Sequence, residues 1–216
     1  MKNRVIKSAL FLTVCLLTGT LFGLYTSHYY QESIPEKPDI NGLLWPNPRN
    51  LQPFTLIDQN NEKFDLDNLS GKWTLLFFGY THCPDICPIT LTVMDRVYRE
   101  LSGIEQKENF QFVFVSVDPE RDTPEKLSAY VHYFNEQFTG LTGSTENLQA
   151  ITNQLGIVFS HGEDPGDGNY LVDHTGSLFL IAPGHEWLGI FTTPHNPDDI
   201  IKRLLDMVNF YNSINA

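Results

Sequence analysis

Cysteine is scarce in this sequence, with three residues among 216. Three cysteines cannot hold together a disulfide-stapled scaffold, so each must owe its role to its position. Basic side chains are also in the minority, because 14 Lys and Arg stand against 26 Asp and Glu for a formal net charge of −12. Domains that bind nucleic acid present a basic surface, so this balance excludes nucleic acid as the expected partner. Internal repeats and low-complexity tracts are lacking too, which excludes a repeat array.

Apolar residues, by contrast, are plentiful enough to form a core. They make up 41% of the chain, a share that excludes an intrinsically disordered or collagen-like protein. Once an N-terminal segment is set aside, the remaining length suits one ordinary domain. We therefore expect a single globular domain.

One long uncharged run, Ser8–Tyr25, stands near the N-terminus. Its length of about 18 residues just suffices to span the apolar core of a bilayer. Lys2, Arg4 and Lys7 precede it, which places that end in the cytoplasm and the remainder across the membrane. Because no small-residue cleavage site follows the run, we predict a retained transmembrane helix rather than a removed signal peptide.

These observations divide the chain into three predicted parts. Residues 1–27 form a cytoplasmic N-terminus and a transmembrane anchor, and residues 28–52 form a tether rich in proline. Residues 53–216 form the folded domain. We expect this domain to be exported, on the periplasmic side of the inner membrane if the cell is a Gram-negative bacterium.

The apolar pattern of the domain predicts alternating strands and helices. A hairpin is followed by a strand-helix-strand unit, two helices, antiparallel strands and a final helix, an order that is typical of an α/β, thioredoxin-like fold. The predicted strands lie at Phe54–Ile57, Glu62–Phe64, Trp73–Phe78, Phe110–Val117, Ile157–Phe159, Tyr170–Val172, Leu178–Ile181 and Trp187–Phe191, and the predicted helices start at Pro88, Pro124, Ser144 and Pro197.

Two of the cysteines, Cys83 and Cys87, lie directly after the predicted central strand. Ligands of parallel sheets collect at the carboxyl ends of strands, where this loop must lie. We expect Pro88 to hold Cys87 away from helical torsions and to occupy the first helical position, so that both thiols lie at a helix N-terminus that lowers their pKa. Two thiolates at this spacing can meet in a disulfide or on one metal ion. His174 supplies a third candidate ligand at the mouth of a later strand.

Three segments resemble the motifs of a known family, the membrane-tethered copper proteins called Sco/SenC. They are Gly79–Pro88, Val115–Pro124 and Asp173–Thr175, and they occur in the family's order. The resemblance implies a thioredoxin-like fold in which Cys83, Cys87 and His174 bind one copper ion. It further implies delivery of that copper to the dinuclear centre of cytochrome c oxidase, with the copper-accepting subunit of the oxidase and an upstream copper donor as partners.

The chemistry of the three side chains agrees with copper. Thiolates are soft ligands that select Cu(I), and imidazole suits copper in both oxidation states, whereas structural zinc takes four ligands. We expect the remaining polar residues near the motifs to act without touching the metal. Asp85 is expected at the start of the helix, and Asp118 and Asp122 are expected to fix their loop and cap the next helix. His82 is expected to point away from Cys83 and is a weak candidate as a ligand. The histidines expected to be solvated or interfacial are His28, His132, His161, His185 and His195.

A second function from a different class remains open on these residues. A thiol-disulfide oxidoreductase would use Cys83 and Cys87 to reduce the cysteines of the same or another exported copper protein. The spacing departs from C-x-x-C, and disulfide exchange has no use for His174, so both features favour the metallochaperone. The segment Ala182–Glu186 also stands where the family has an acidic Pro-Asp-Gly type of turn. The expected partner contact at that turn is therefore in question.

Overall fold

The structure is a computed structural model that describes residues 13–25, 38–101, 103, 109–164, 166 and 168–215. The chain divides into two compact units, Met1–Pro38 and Asp39–Ala216. In the first unit, residues 13–25 form helix α1, on which the hydroxyl of Thr18 donates to the carbonyl of Val14. Among the described residues, no helix has the length and apolar character needed to cross a membrane. The predicted span starts at Ser8, and residues 8–12 lie outside the described part.

An eight-stranded mixed sheet forms the centre of the second unit, in the order β1-β10-β9-β4-β5-β6-β2-β3. Strands β4, β5 and β6 are parallel, and the other neighbours are antiparallel. The predicted α/β class is confirmed. The strands of this sheet are β1 Arg49–Asn50, β2 Leu56–Asp58, β3 Lys63–Phe64, β4 Trp73–Gly79, β5 Phe110–Ser116, β6 Thr139–Thr142, β9 Leu178–Ile181 and β10 Glu186–Phe191.

A second, two-stranded sheet stands apart from the main one and consists of β7 Phe159–His161 and β8 Val172–His174. The helices of the unit are α2 Leu66–Leu69, α3 Ile86–Leu101, α4 Pro124–Phe134, α5 Thr145–Thr152 and α6 Pro197–Asn215. Thr123 and Ser144 cap α4 and α5, because each hydroxyl accepts a hydrogen bond from a backbone N–H of the first turn.

Strand β4 is buried along its whole length, as the apolar run Trp73–Phe78 predicts. Successive side chains of a strand point to opposite faces, so one run supplies two cores. Leu75 and Phe77 belong to the core that α3, α4 and α6 cover. Leu76 and Phe78 belong to the core on the other face, where α5 packs. The strand is thereby held on both sides, and its carboxyl end becomes a rigid support for the loop that follows.

Several predicted boundaries differ from the structure, and those of α3, β7 and β8 bear on the site. Helix α3 begins at Ile86, not at Pro88, so Cys87 has joined the helix. Proline is tolerated there because the N–H groups of a first turn have no acceptor within the helix. Strands β7 and β8 lie two residues later than their apolar patterns predict, because the pairing of Phe159 with His174 sets their bounds. The pattern also misses β6, a short strand that contains Gly140 and is defined by its partners β5 and β2.

Part of the predicted tether packs on the domain. Leu43 and Leu51 are buried, and β1 pairs with β10 through Arg49 and Asn50. Residues 28–37 lie outside the described part. The compact unit therefore begins at Asp39, ahead of the expected start of the domain at residue 53.

Candidate metal centre

Three side chains from two distant segments of the chain meet at one end of the sheet. Cys83 lies in the loop after β4, Cys87 in the first turn of α3, and His174 at the end of β8. One ligand atom from each lies within 4.8 Å of the other two. The structure thus brings together all three residues that the sequence singled out.

Glycine at the end of β4 makes room for Cys87. A Cβ atom on Gly79 would lie 2.5 Å from the Cys87 Sγ and 2.9 Å from the ring of Phe114. Both neighbours are fully buried and cannot move without disturbing the core. The absence of a side chain at position 79 therefore sets the place of the Cys87 sulfur.

The sulfur of Cys83 lies where the backbone of α3 begins. The N–H of Cys87 donates to it at 3.5 Å, and the turn before it is closed by the Cys83 N–H donating to the Tyr80 carbonyl at 3.3 Å. A helix N-terminus stabilises negative charge, so this sulfur suits a thiolate. The hydrogen bond from the Cys87 thiol lowers the pKa of Cys83 to about 3, aided by His174 and the backbone N–H groups of Asp85 and Cys87 and opposed by burial.

The two cysteines differ in pKa. The Cys87 thiol donates to Cys83 and is buried, and both effects raise the pKa of Cys87. Cys83 is only half-buried. At neutral pH the free protein therefore favours a thiolate at the half-buried Cys83 and a protonated thiol at the buried Cys87.

The ring of His174 presents one nitrogen to the sulfur atoms. Its Nε2 lies 3.4 Å from the Cys87 Sγ, and its Nδ1 lies 3.3 Å from the carbonyl oxygen of Thr175. A carbonyl can only accept, so Nδ1 carries a hydrogen and Nε2 is the atom free to bind a metal. The rings of Tyr80 and Phe77 pack edge-on against the imidazole, with centroids 5.8 and 6.1 Å away. These contacts hold its orientation.

Two sulfur ligands and one imidazole at these separations fit a soft metal ion. Thiolates favour Cu(I), and three ligands leave the site short of the four that structural zinc takes. Cys83 and His174 are half-buried, whereas Cys87 is buried, so the site can be approached from the side of Cys83 and His174. This set of donors could therefore hold copper and release it to a second protein.

The neighbouring acidic residues stay away from the cluster. Asp85 is exposed, whereas Asp118 and Asp122 are fully buried in the loop between β5 and α4. Asp122 accepts hydrogen bonds from the N–H and hydroxyl of Thr81 at 2.9 and 2.5 Å, so it fixes the cysteine loop. The cap of α4 is Thr123, directly before the predicted first helical residue Pro124, and not Asp122.

One histidine departs from the solvated or interfacial role that the sequence predicts. His195 is half-buried, and its Nε2 donates to the carbonyl of Gly176 at 2.8 Å. His161 is exposed, as expected, and packs its ring against that of Tyr170 at 5.4 Å. His82 is exposed beside Thr81 and does not belong to the cluster of Cys83, Cys87 and His174.

Sequence reasoning overlooked Gly79, Tyr80 and Arg121 as parts of the site. A glycine that ends a buried strand is a signal for close approach of another group, and it could have identified position 79. Tyr80 and Arg121 carry no such signal, since their roles depend on contacts with residues far away in the chain.

Known proteins share both the sequence and the fold. A model of the SCO1/SenC family matches residues 46–209. An SCO2-like protein of Rickettsia felis is 33% identical over 208 residues, which cover 94% of this chain and 98% of that protein. ScoI of Arabidopsis thaliana, solved with copper bound, has a TM-score of 0.71 at 32% identity and covers 76% of this chain and 100% of its own.

A third relative, yeast Sco1 with copper bound, has a TM-score of 0.69 at 29% identity over 75% of this chain and 90% of its own. The family resemblance read from the motifs is confirmed by these matches. Copper, the predicted cofactor, is the metal present in both of these solved relatives.

Proposed function

Because the chain belongs to the SCO1/SenC family, we propose that it is a copper metallochaperone. Cys83, Cys87 and His174 bind one copper ion, which the protein passes to the dinuclear copper centre of cytochrome c oxidase. The observation that carries the proposal is the convergence of two sulfur atoms and one imidazole nitrogen within 4.8 Å. An upstream donor loads the site, and the copper-accepting subunit of the oxidase empties it.

Release to a partner is supported by the exposure of the donors. Cys83 is half-buried, whereas Cys87 is buried. His174 is also half-buried, so a partner's thiol or imidazole can reach the metal on the side of Cys83 and His174 while the buried Cys87 still holds it. Copper then moves by stepwise exchange of ligands, without being released into water.

The test of binding is an anaerobic titration of the full-length protein in detergent with Cu(I) and a competing chelator. We expect one copper ion per chain in the reduced protein. Joining Cys83 and Cys87 in a disulfide consumes both soft ligands, so the oxidised protein should lose tight binding. Undiminished affinity after oxidation would overturn the assignment of the ligands.

The test of delivery uses the purified copper-accepting subunit without metal. Copper-loaded protein is mixed with it, the two proteins are separated, and the copper in each is measured. We expect transfer to the subunit and none to the same subunit with its copper-binding cysteines replaced. If this protein keeps all of its copper, delivery to the subunit is contradicted, but the assignment of the copper ligands is not.

A thiol-disulfide oxidoreductase is the second candidate, favoured by the low pKa of the half-exposed Cys83. The Cys83 thiolate would attack a partner disulfide and form a mixed disulfide, and one partner thiolate would leave. Cys87, after losing its proton, would attack the Cys83 sulfur and release the second partner thiolate. The partner disulfide is thereby reduced to two thiols, and Cys83 and Cys87 are oxidised to a disulfide.

We also place the domain outside the cytoplasm on an uncleaved N-terminal helix. Support comes from Lys2, Arg4 and Lys7 ahead of the apolar run and from the exposed large side chains of α1. These side chains are Val14, Leu16, Leu17, Leu21, Phe22, Leu24 and Tyr25. A topology reporter fused after Ala216 should read as exported. Recovery of a mature protein that starts near Gln31 would contradict the anchor.

A further inference from the structure

The strand pair that carries His174 depends on contacts outside the main sheet for its position. β7 and β8 hydrogen-bond only with each other among the described strands. Val158 and Leu171, which flank the pair, are 76% and 60% exposed. Val172 of β8 is buried, and Phe159 of β7 packs on the core. Apolar contacts therefore hold the pair at these positions, and the metal centre needs the imidazole at a fixed distance from Cys87 as well.

Arg121 and Asp118, in the loop between β5 and α4, supply a further contact. The buried Asp118 carboxylate accepts hydrogen bonds from the Tyr170 hydroxyl at 2.8 Å and from the Arg121 Nε at 2.5 Å. The guanidinium of Arg121 lies 3.6 Å from the centre of the Tyr170 ring, and its Nη1 donates to the Gly168 carbonyl at 3.0 Å. The approach to β8 is thus held at two positions.

The same guanidinium also faces the cysteine loop. It lies 5.6 Å from the centre of the Tyr80 ring, and that ring packs edge-on against His174. One residue further along, Asp122 holds Thr81. The short loop at 118–122 therefore contacts both halves of the metal centre, the segment that leads to Cys83 and the strand that ends in His174.

We propose that Arg121, paired with Asp118 and stacked on Tyr170, is a positioning residue that holds the His174 imidazole against the two cysteines. The proposal rests on the metal site named under the proposed function, and it adds three residues that do not touch the metal. A planar guanidinium is needed, because only it can pair with a carboxylate, stack on a ring and donate to a carbonyl at once.

The variant that tests this is Arg121→Lys, which keeps the positive charge beside the buried Asp118 but loses the stacking and the fork of donors. Arg203→Lys is a matched control. Arg203 also pairs with an aspartate, Asp199, lies 4.7 Å from an aromatic ring, that of Phe191, and donates to the Asn41 carbonyl. Its side chain is 12% exposed, against 13% for Arg121.

We expect Arg121→Lys to lower the Cu(I) affinity of the full-length protein by about 10 to 100-fold, as lost supporting contacts at metal sites do. Arg203→Lys should change it less than about twofold. In a His174→Ala background, Arg121→Lys should cause no further loss, since the ligand it positions is gone. An equal loss in both backgrounds, or no loss in either, would overturn the proposal.

A readout on the metal-free protein keeps this test separate from copper binding. In the wild type, the ring protons of Tyr80 and His174 should show a nuclear Overhauser effect that weakens in Arg121→Lys and persists in Arg203→Lys. If the wild type binds no copper, the proposed function fails and this measurement still decides the positioning role. If Arg121→Lys does not fold, Tyr170→Phe takes its place. We expect it to weaken the same nuclear Overhauser effect and to lower the Cu(I) affinity by a smaller factor. An unchanged nuclear Overhauser effect between the Tyr80 and His174 rings in a folded variant would overturn the proposal.

Discussion

The Nε2 of His174 lies 3.4 Å from the Sγ of Cys87, although 87 positions separate them in the chain. This contact joins the cysteine loop and the end of β8 into one candidate metal centre. It also connects the two candidate functions, because the thiol that would bind copper beside His174 is the one that donates a hydrogen bond to the Cys83 thiolate in the free protein.

Replacing His174 separates the two candidate functions. His174→Ala removes one of three ligands, so we expect copper affinity to fall by more than the about 10 to 100-fold typical of a supporting residue. Disulfide exchange through Cys83 and Cys87 should survive. The measurement pairs chelator competition with reduction of a disulfide substrate. Unchanged copper affinity would show that His174 is not a copper ligand and would favour the oxidoreductase.

The alkylation rate of Cys83 should change little between pH 7 and pH 5. Because the pKa of Cys83 is lowered to about 3, chiefly by the Cys87 thiol, its thiolate stays fully populated at pH 5 and at pH 7. Alkylation of the reduced, metal-free protein should therefore change less than about twofold between these values, while glutathione gains about 100-fold. Mass spectrometry of quenched samples locates the modified residue. If the alkylation rate of Cys83 rises with pH as that of glutathione does, Cys83 is not a thiolate at pH 5.

Enlarging Gly79 should damage the site from within the core. In Gly79→Ala the new Cβ would crowd Cys87 and Phe114, and overpacking of this kind costs about 1 to 3 kcal/mol of unfolding free energy. Displacement of the Cys87 sulfur should also weaken copper binding. Gly103→Ala is the control, since its nearest contact would be an ordinary 3.7 Å. Equal stability and affinity in the two variants would contradict the role of Gly79.

His195 should make the folded state sensitive to mild acid. Burial lowers the pKa of His195, opposed by its hydrogen bond to the Gly176 carbonyl. The folded state thus favours the neutral ring, and its stabilising effect is complete above the ordinary pKa near 6.5 and is lost as pH falls below it. His195→Gln keeps a donor for Gly176 but cannot titrate.

We therefore expect the melting temperature of the wild type to fall further than that of His195→Gln between pH 7 and pH 5. The exposed His132 offers a matched control, because His132→Gln should follow the wild type. Thermal unfolding of the full-length protein at both pH values measures the difference. Parallel falls in all three proteins would show that His195 titrates alike in the folded and unfolded states.

The amino-acid sequence was enough to predict the central strand, the fold class and the cysteine pair, and the family resemblance added His174. The apolar run Trp73–Phe78 favours a strand covered on both faces, and Cys83 and Cys87 lie in the segment that follows it. The strand and the cysteine pair depend on neighbours in the chain, so their patterns can be read without coordinates.

How the ligands are held depends on contacts between distant segments, which the folded structure alone reveals. It set the start of α3 at Ile86 and the register that ends β8 at His174, and it gave the charge to Cys83 rather than Cys87. It also placed Arg121 between Tyr80 and Tyr170. Each of these depends on groups brought close by pairing between distant segments, and local sequence carries no information on the distance between such groups.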